Sequence, residues 1–215
     1  MFVFCSLLIY GIHGREMRKA IDHLKKSDPI MAGIIGRVGR FRMNYDEPGF
    51  ASLAEAIVYQ QLHGNAAATI FGRLTALTGL PLVPEGILKL SVEQMRGVGL
   101  SKQKLSYLRD LAAKAQSGEV RFDHLGELPD EEVIEQLTRV KGIGVWTAHM
   151  FLMFSLKRGN VLPIGDLGIQ MAIRKHYRKR KLPKPKDMER IARNWEPYRS
   201  VACWYLWRSL DIKTP

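Results

Sequence analysis

Apolar residues recur at three- and four-residue spacings along nearly all of this 215-residue chain, and almost nowhere in the two-residue alternation of a half-buried strand. That rhythm restricts the chain to helix packed on helix. Met17–Lys26 places Ala20, Ile21 and Leu24 on one face and stops at Ser27-Asp28-Pro29. Phe50–Leu62 turns Leu53, Ala54, Ile57 and Val58 inward, and Asn65–Leu77 does the same with Ala66, Ile70, Leu74 and Leu77. Ser101 caps a helix carrying Leu105, Leu108, Leu111, Ala112 and Ala115, and Asp130 opens another with Val133, Ile134 and Leu137. Gly142–Leu156 carries a stripe of Ile143, Trp146, Thr147, Met150, Phe151 and Phe154; Asp166–Tyr177 and Tyr198–Leu210 complete the set. The expected class is all-α, and no repeat of roughly 20–50 residues points to a solenoid.

Two stretches escape the rhythm. Gly33, Gly36 and Gly39, followed by Phe41–Tyr45 and Asp46-Glu47-Pro48-Gly49, read as a loop-rich cover, and Pro81–Pro84 reads as a linker. Phe2–Ile12 is apolar but has no Lys or Arg before it and is too short to span a bilayer. Residues 1–16 are therefore expected to be an N-terminal extension ahead of an amphipathic helix opening at Met17.

Charge then narrows the partners. Lys plus Arg number 33 against 21 Asp plus Glu, a net charge of +12, which points to nucleic acid first and an anionic membrane second. Residues 174–186 hold eight of those cations, a run that reads equally as a solvated face or a phosphate contact. Two cysteines, Cys5 and Cys203, cannot make a disulfide framework, a four-Cys zinc site or a four-Cys iron–sulfur cluster, which fits a reduced, intracellular protein. The six histidines show no zinc-ligand spacing, and there is no phosphate loop of the G-x-x-x-x-G-K type.

The densest information lies in Leu137–Ala148, where one helix ends, Gly142-Ile143-Gly144 follows, and another helix begins at once. Glycines permit a turn closed to other residues, Ile143 pins it to the core, and the next helix offers free N–H groups and its positive dipole end to an anion. A DNA phosphate fits, with Lys141 beside it. A looser copy, Met95-Arg-Gly-Val-Gly-Leu-Ser101, either binds backbone or only turns the chain. Asp166 stands twenty-two residues after Gly144, in Pro163-Ile-Gly-Asp166. By residue type it reads as a helix N-cap, although Ile169 leaves no capping box.

Together these residues resemble the helix–hairpin–helix (HhH-GPD) DNA glycosylase superfamily, and within it the AlkA-like DNA-3-methyladenine glycosylase II family. The resemblance is carried by Ile57-Val-Tyr-Gln60-Gln61-Leu62 with Ala66-Ala67, Gly142-Ile-Gly-x-Trp146-Thr-Ala, Pro163-x-x-Asp166, and Trp195-x-Pro197-x-Arg199-Ser200 through Trp207. It covers residues 17–211 and implies two helical lobes, roughly 50–140 and 17–49 plus 141–211, with a DNA-binding hairpin and an active-site cleft between the lobes. It makes Asp166 the catalytic carboxylate and Trp146, Met150 and Trp207 the base-binding wall, with Met150 standing where the family has an aromatic. Gln61 or Leu62 becomes the wedge that fills the gap left by an extruded base, and Lys141, Gly142, Gly144 and Thr147 the contacts to DNA. The backbone carbonyls of Thr138, Val140 and Ile143 become a site for a monovalent cation, Na+ or K+; no cofactor is otherwise required.

The implied activity is excision of alkylated purines of the 3-methyladenine and 7-methylguanine type from double-stranded DNA, by a monomer with no membrane role. A buried base must be flipped out first, and a cationic base gains about 1–2 kcal/mol from an indole face. A carboxylate about 4 Å from the developing sugar cation contributes roughly 4 kcal/mol at an effective dielectric near 20, on the order of 10³ in rate. Lyase-active members carry a Lys two residues after the second hairpin glycine; here that place is Trp146, so an abasic site is the expected product. Two other readings stay open: a non-catalytic DNA-binding module on the same hairpin, and a glycosylase for deaminated or oxidised bases.

Overall fold

A computed structural model describes residues 4–212, with side chains from Gly14 onward. In chain order the helices are α1 (Phe4–Ser27), α2 (Pro29–Val38), α3 (Phe50–Tyr59), α4 (Gly64–Thr78), α5 (Pro84–Lys89), α6 (Val92–Gly97), α7 (Lys102–Ser117), α8 (Asp130–Thr138), α9 (Val145–Phe154), α10 (Leu167–His176), α11 (Pro185–Ala192) and α12 (Arg199–Asp211). Short 3-10 turns fall at Leu125–Glu127 and Arg193–Trp195, and no strand occurs among the described residues. No described helix is long and apolar enough to cross a membrane.

The chain divides into two compact units. Asn44–Lys157 form a central unit; the residues up to Met43 and those from Arg158 onward form a terminal unit. The boundary differs from the lobes expected from sequence, because 141–157 lie with 44–140. Packing explains this: α9 lies against α8 and α3, and Ile143 and Phe151 are buried at 4% exposure each.

In the central unit, α7 buries Leu105, Leu108, Leu111 and Ala112 and lies against α3, α5 and α6. Ser101 caps it as expected, its side-chain oxygen accepting the Lys104 N–H at 3.2 Å. Helices α5 and α6 escaped the sequence reading. They have six residues each, too few to show a period, but carry local signals: Pro84 at the start of α5, and a reciprocal Ser91–Gln94 capping box on α6. Helix α9 is buried on more than one face, with Thr147, Ala148, Phe151, Leu152 and Met153 all inside.

The terminal unit corrects two expectations. Met17 does not open a helix, since α1 already runs from Phe4; of the proposed 1–16 extension, residues 1–3 and the side chains up to His13 lie outside the described part. The supposed loop around Gly33 and Gly36 is the helix α2, capped by Asp28, which takes the N–H groups of Ile30 at 2.9 Å and Met31 at 3.1 Å. The second carboxylate oxygen of Asp28 accepts the Tyr177 hydroxyl at 2.5 Å and the Trp195 indole N–H at 2.9 Å. A carboxylate buried to 4% exposure is thus matched by four donors, and it ties α2 to the end of α10 and to the turn before α12.

Candidate active site and nucleic-acid interface

The hairpin of the central unit is fixed from below. Its first glycine has φ +81°, and a Cβ there would lie 2.1 Å from the Tyr107 ring of α7. Glycine is thus required twice over, by backbone conformation and by the aromatic face it rests on. One turn further along α7, Asp110 accepts the Lys141 backbone N–H at 2.8 Å and both bonds of the Lys114 ammonium at 3.0 and 3.1 Å. Burial pushes the Asp110 carboxyl up, but the Lys141 N–H and the two lysine charges outweigh it and hold it below its usual range. Ile143 donates to the Val140 carbonyl at 3.1 Å and closes the turn. Gly144, the N-cap of α9, has φ −98° and no crowding neighbour, so the strict need for glycine rests on Gly142 alone. Gly144 has no side chain to cap α9, and among the described residues no acceptor meets the N–H of Gly142 or Gly144. These donors, at a helix N-terminus, are the ones an anion would take.

Beside the hairpin the chain leaves α3 through Gln60, Gln61, Leu62 and His63. Gln61 has φ +55°, a left-handed conformation that non-glycine residues adopt at some cost, and Leu62 is 39% exposed at this tip. The Gln60 side-chain amide donates to the Gly142 carbonyl at 2.9 Å. A cavity of about 610 Å³ opens here, lined among others by Tyr59, Gln61, Tyr107, Trp146 and Met150. That volume falls within the roughly 300–1,000 Å³ of small-molecule sites. Trp146 is 48% exposed and lines this cavity, so its ring is a cavity wall rather than core. Met150 lies where this cavity meets a smaller recess of about 100 Å³, both of them lined also by Ala56 and Thr147. Lys104 lines the larger cavity too, its ammonium bonded to the Val58 carbonyl at 2.6 Å, and burial lowers its pKa.

Asp166 belongs to the terminal unit. It caps α10, its Oδ1 accepting the Ile169 N–H at 2.7 Å, so the N-cap role read from its residue type is real. The same oxygen accepts the Trp207 indole N–H from α12 at 2.8 Å, and the carboxylate is only 8% exposed. Gly168 leaves room for this approach, since a Cβ there would press on both partners, 3.0 Å from the Trp207 ring and 3.1 Å from Asp166 Oδ1. The loop leading in is held by Ser200, which donates to the Arg158 carbonyl at 2.6 Å and accepts the Val161 N–H at 3.0 Å. Burial first, then the charge of Asp166, hold the Cys203 thiol protonated, so this sulfur is no nucleophile.

A helix–hairpin–helix with open N–H donors and a buried carboxylate capping a later helix is a combination that can be compared with known proteins. The family model for "HhH-GPD superfamily base excision DNA repair protein" matches residues 54–197. The chain belongs to the HhH-GPD superfamily. Within it, the chain is 36% identical over 204 residues to the DNA-3-methyladenine glycosylase 1 of Schizosaccharomyces pombe, covering 92% of this chain and 89% of that one. Among solved HhH-GPD structures, a DNA-3-methyladenine glycosidase from Bacillus halodurans superposes with a TM-score of 0.80 at 37% identity, over 87% of each chain. The S. pombe 3-methyladenine DNA glycosylase in complex with abasic DNA superposes with 0.79 at 35% identity, over 90% of this chain and 97% of that one.

The residues expected from sequence fall into two groups. The central unit brings together Gln61, Leu62, Lys141, Gly142, Gly144, Trp146, Thr147 and Met150, as well as Thr138, Val140 and Ile143; the terminal unit holds Asp166 and Trp207. Thr147 is 7% exposed, so its side chain is not a surface contact and its backbone N–H is what it can offer a phosphate. Trp207 was expected to line a base pocket; its indole N–H is committed to the carboxylate. Sequence reading placed Gln60 at the corner but not its bond to Gly142, and it missed the supports Tyr107, Asp110 and Gly168. Of these only Gly168 left a signal, a glycine two residues after the candidate catalytic Asp.

Proposed function

We propose that this HhH-GPD chain is a monofunctional DNA glycosylase that removes N3- and N7-alkylated purines from double-stranded DNA, leaving an abasic site. The observation that carries the reading is the Asp166 carboxylate: buried, pinned by Trp207 and Ile169, at the N-terminus of α10. Cleaving the N-glycosidic bond builds positive charge on the sugar, and a fixed anion in a dry site is the arrangement that stabilises it. At about 4 Å this amounts to roughly 4 kcal/mol, on the order of 10³ in rate. The carboxylate also orients or deprotonates the attacking water. An alkylated purine is already a cationic leaving group, so little acid assistance is needed, and the exposed indole of Trp146 favours it over neutral bases. With an indole rather than an amine two residues beyond Gly144, no Schiff base forms there, which supports release of the base without strand cleavage.

The hairpin grips backbone through the N–H groups of Gly142 and Gly144, with Lys141, 67% exposed at its side chain, adding charge. The carbonyl oxygens of Thr138, Val140 and Ile143 suit Na+ or K+; Val140 spends one lone pair on the Ile143 N–H and keeps the other. Such an ion would add positive charge beside the phosphate. The enzyme acts as an intracellular monomer. The test is incubation with methylated duplex DNA and with lesions of the deaminated and oxidised types, scoring free base. Release of methylpurines that falls about 10³-fold in Asp166→Asn, with DNA affinity kept, is the expected result. Equal release by the variant removes Asp166 from the chemistry.

A further inference from the structure

A base cannot leave a duplex unless something holds the gap open, and the tip at Gln61 and Leu62 is built to enter one: exposed, partly apolar, and set in a left-handed turn. Such a tip works only if its position is fixed relative to the groups that grip the backbone. Within the central unit one side chain makes that connection. Gln60, the residue just before the tip, reaches along the rim of the 610 Å³ cavity and donates to the carbonyl of Gly142, the glycine whose own N–H is open to an anion.

The two ends of this bond are unequal. The hairpin is already held by the Tyr107 ring under Gly142, by Asp110 on the Lys141 N–H, and by buried Ile143. It does not need Gln60. Apart from Gln60, the corner is held by short-range backbone bonds, Gln60 N–H to the Ala56 carbonyl at 3.2 Å, Leu62 N–H to the Tyr59 carbonyl at 3.2 Å and Ala67 N–H to the His63 carbonyl at 3.1 Å, and the nearest side-chain tie, the Lys104 ammonium on Val58, falls before the tip. A left-handed glutamine is strained and persists only where neighbours over-determine it. The mobile partner is therefore the tip, and the bond fixes the tip to the hairpin.

We infer that Gln60 is a positioning residue for base extrusion: through Gly142 it locks the Gln61–Leu62 tip in register with the backbone-gripping hairpin. The inference rests on the glycosylase reading and concerns the opening of the duplex, not the cutting of the bond. It separates two kinds of substrate. A paired lesion needs the tip; a lesion already unpaired, in a three-nucleotide mismatched bubble, does not.

The experiment compares single-turnover release of methylpurine from both substrates by the wild type, Gln60→Glu and Gln60→Ala. Glutamate matches glutamine in shape but at neutral pH has no proton to donate and sets a carboxylate against the Gly142 carbonyl. The expected result is a loss of tenfold or more on the paired lesion and less than twofold on the bubble, for both variants, with melting temperatures within a few degrees of the wild type. Equal losses on the two substrates would make Gln60 a general structural residue, and unchanged release from the paired lesion would show that the bond does nothing; either overturns the inference. Should Gln60→Glu melt early, Gln60→Ala gives the same comparison. A wild type that releases methylpurine from neither substrate defeats the glycosylase reading instead, and the two failures are told apart by that control.

Discussion

Two glycine turns of the central unit share a sequence pattern and differ in what they leave unmet. Gly97-Val98-Gly99 and Gly142-Ile143-Gly144 each lie between two helices, and each has one glycine at positive φ, +103° at Gly99 and +81° at Gly142. The first turn satisfies itself. Val98 and Gly99 donate to the Gln94 and Arg96 carbonyls, the Arg96 guanidinium bonds the Leu100 carbonyl at 2.7 Å, and Ser101 caps α7. The second turn has no side-chain cap and keeps the N–H groups of Gly142 and Gly144 unspent. A phosphate site is marked by donors the fold declines to use, not by the glycines that shape the turn.

The largest expected contrast is in stability. Ala at Gly142 meets both a positive φ and the Tyr107 ring at 2.1 Å, whereas Ala at Gly99 meets a positive φ and only the flexible Ile70 side chain at 3.2 Å. Backbone strain and overpacking together put Gly142→Ala at about 3 kcal/mol or more and Gly99→Ala at about 1–2 kcal/mol, read from urea unfolding. Equal costs would mean that Tyr107 yields, and the hairpin would lose its claim to a rigid floor.

The same pair shows how far sequence carries. The all-α class, the capped start of α7 and the extent of α8 follow from periodicity and the Ser101 cap, because an amphipathic stripe of nine or more residues has few other ways to bury itself. Both turns were visible as glycine pairs, and Asp166 as a carboxylate opening a helix. What could not be read was what meets the hairpin from elsewhere in the chain: Tyr107, Asp110 and Gln60 lie from 31 to 82 positions away from the hairpin residues they touch. The same holds for Trp207, which reaches Asp166 across 41 positions. Such contacts have no local pattern; they appear only when helices pack. Helix α2 was lost for a different reason, since its two internal glycines outweighed the capping signal of Asp28.

A salt series sharpens the contrast at intermediate size. If the open turn meets a phosphate and the closed one does not, Lys141→Gln lowers the slope of log affinity against log salt by about 0.9, while Lys102→Gln beside the closed turn leaves it unchanged. A matched fall in both would show that cationic surface rather than turn geometry sets the contact.

The smallest effect distinguishes the turns by acid. Asp110 is a carboxylate 13% exposed at its side chain, and its pKa lies below the ordinary value: burial raises it, but the Lys141 N–H and the Lys114 and Lys141 charges prevail. A group depressed on folding adds stability that is complete above the unfolded carboxylate range, near ~4, and is lost as pH falls through the folded value. The closed turn is capped by Ser101, which does not titrate. The Lys141 amide resonance is therefore expected to shift in a single step at a pH below ~4, while the Lys104 amide, bonded to Ser101, stays flat. Asp110→Asn keeps an acceptor for the Lys141 N–H and removes the proton, so that step vanishes while the resonance stays near its neutral-pH position. A Lys141 amide insensitive to acid in the wild type would mean that Asp110 does not hold the hairpin in solution, leaving the Tyr107 ring and buried Ile143 to hold it.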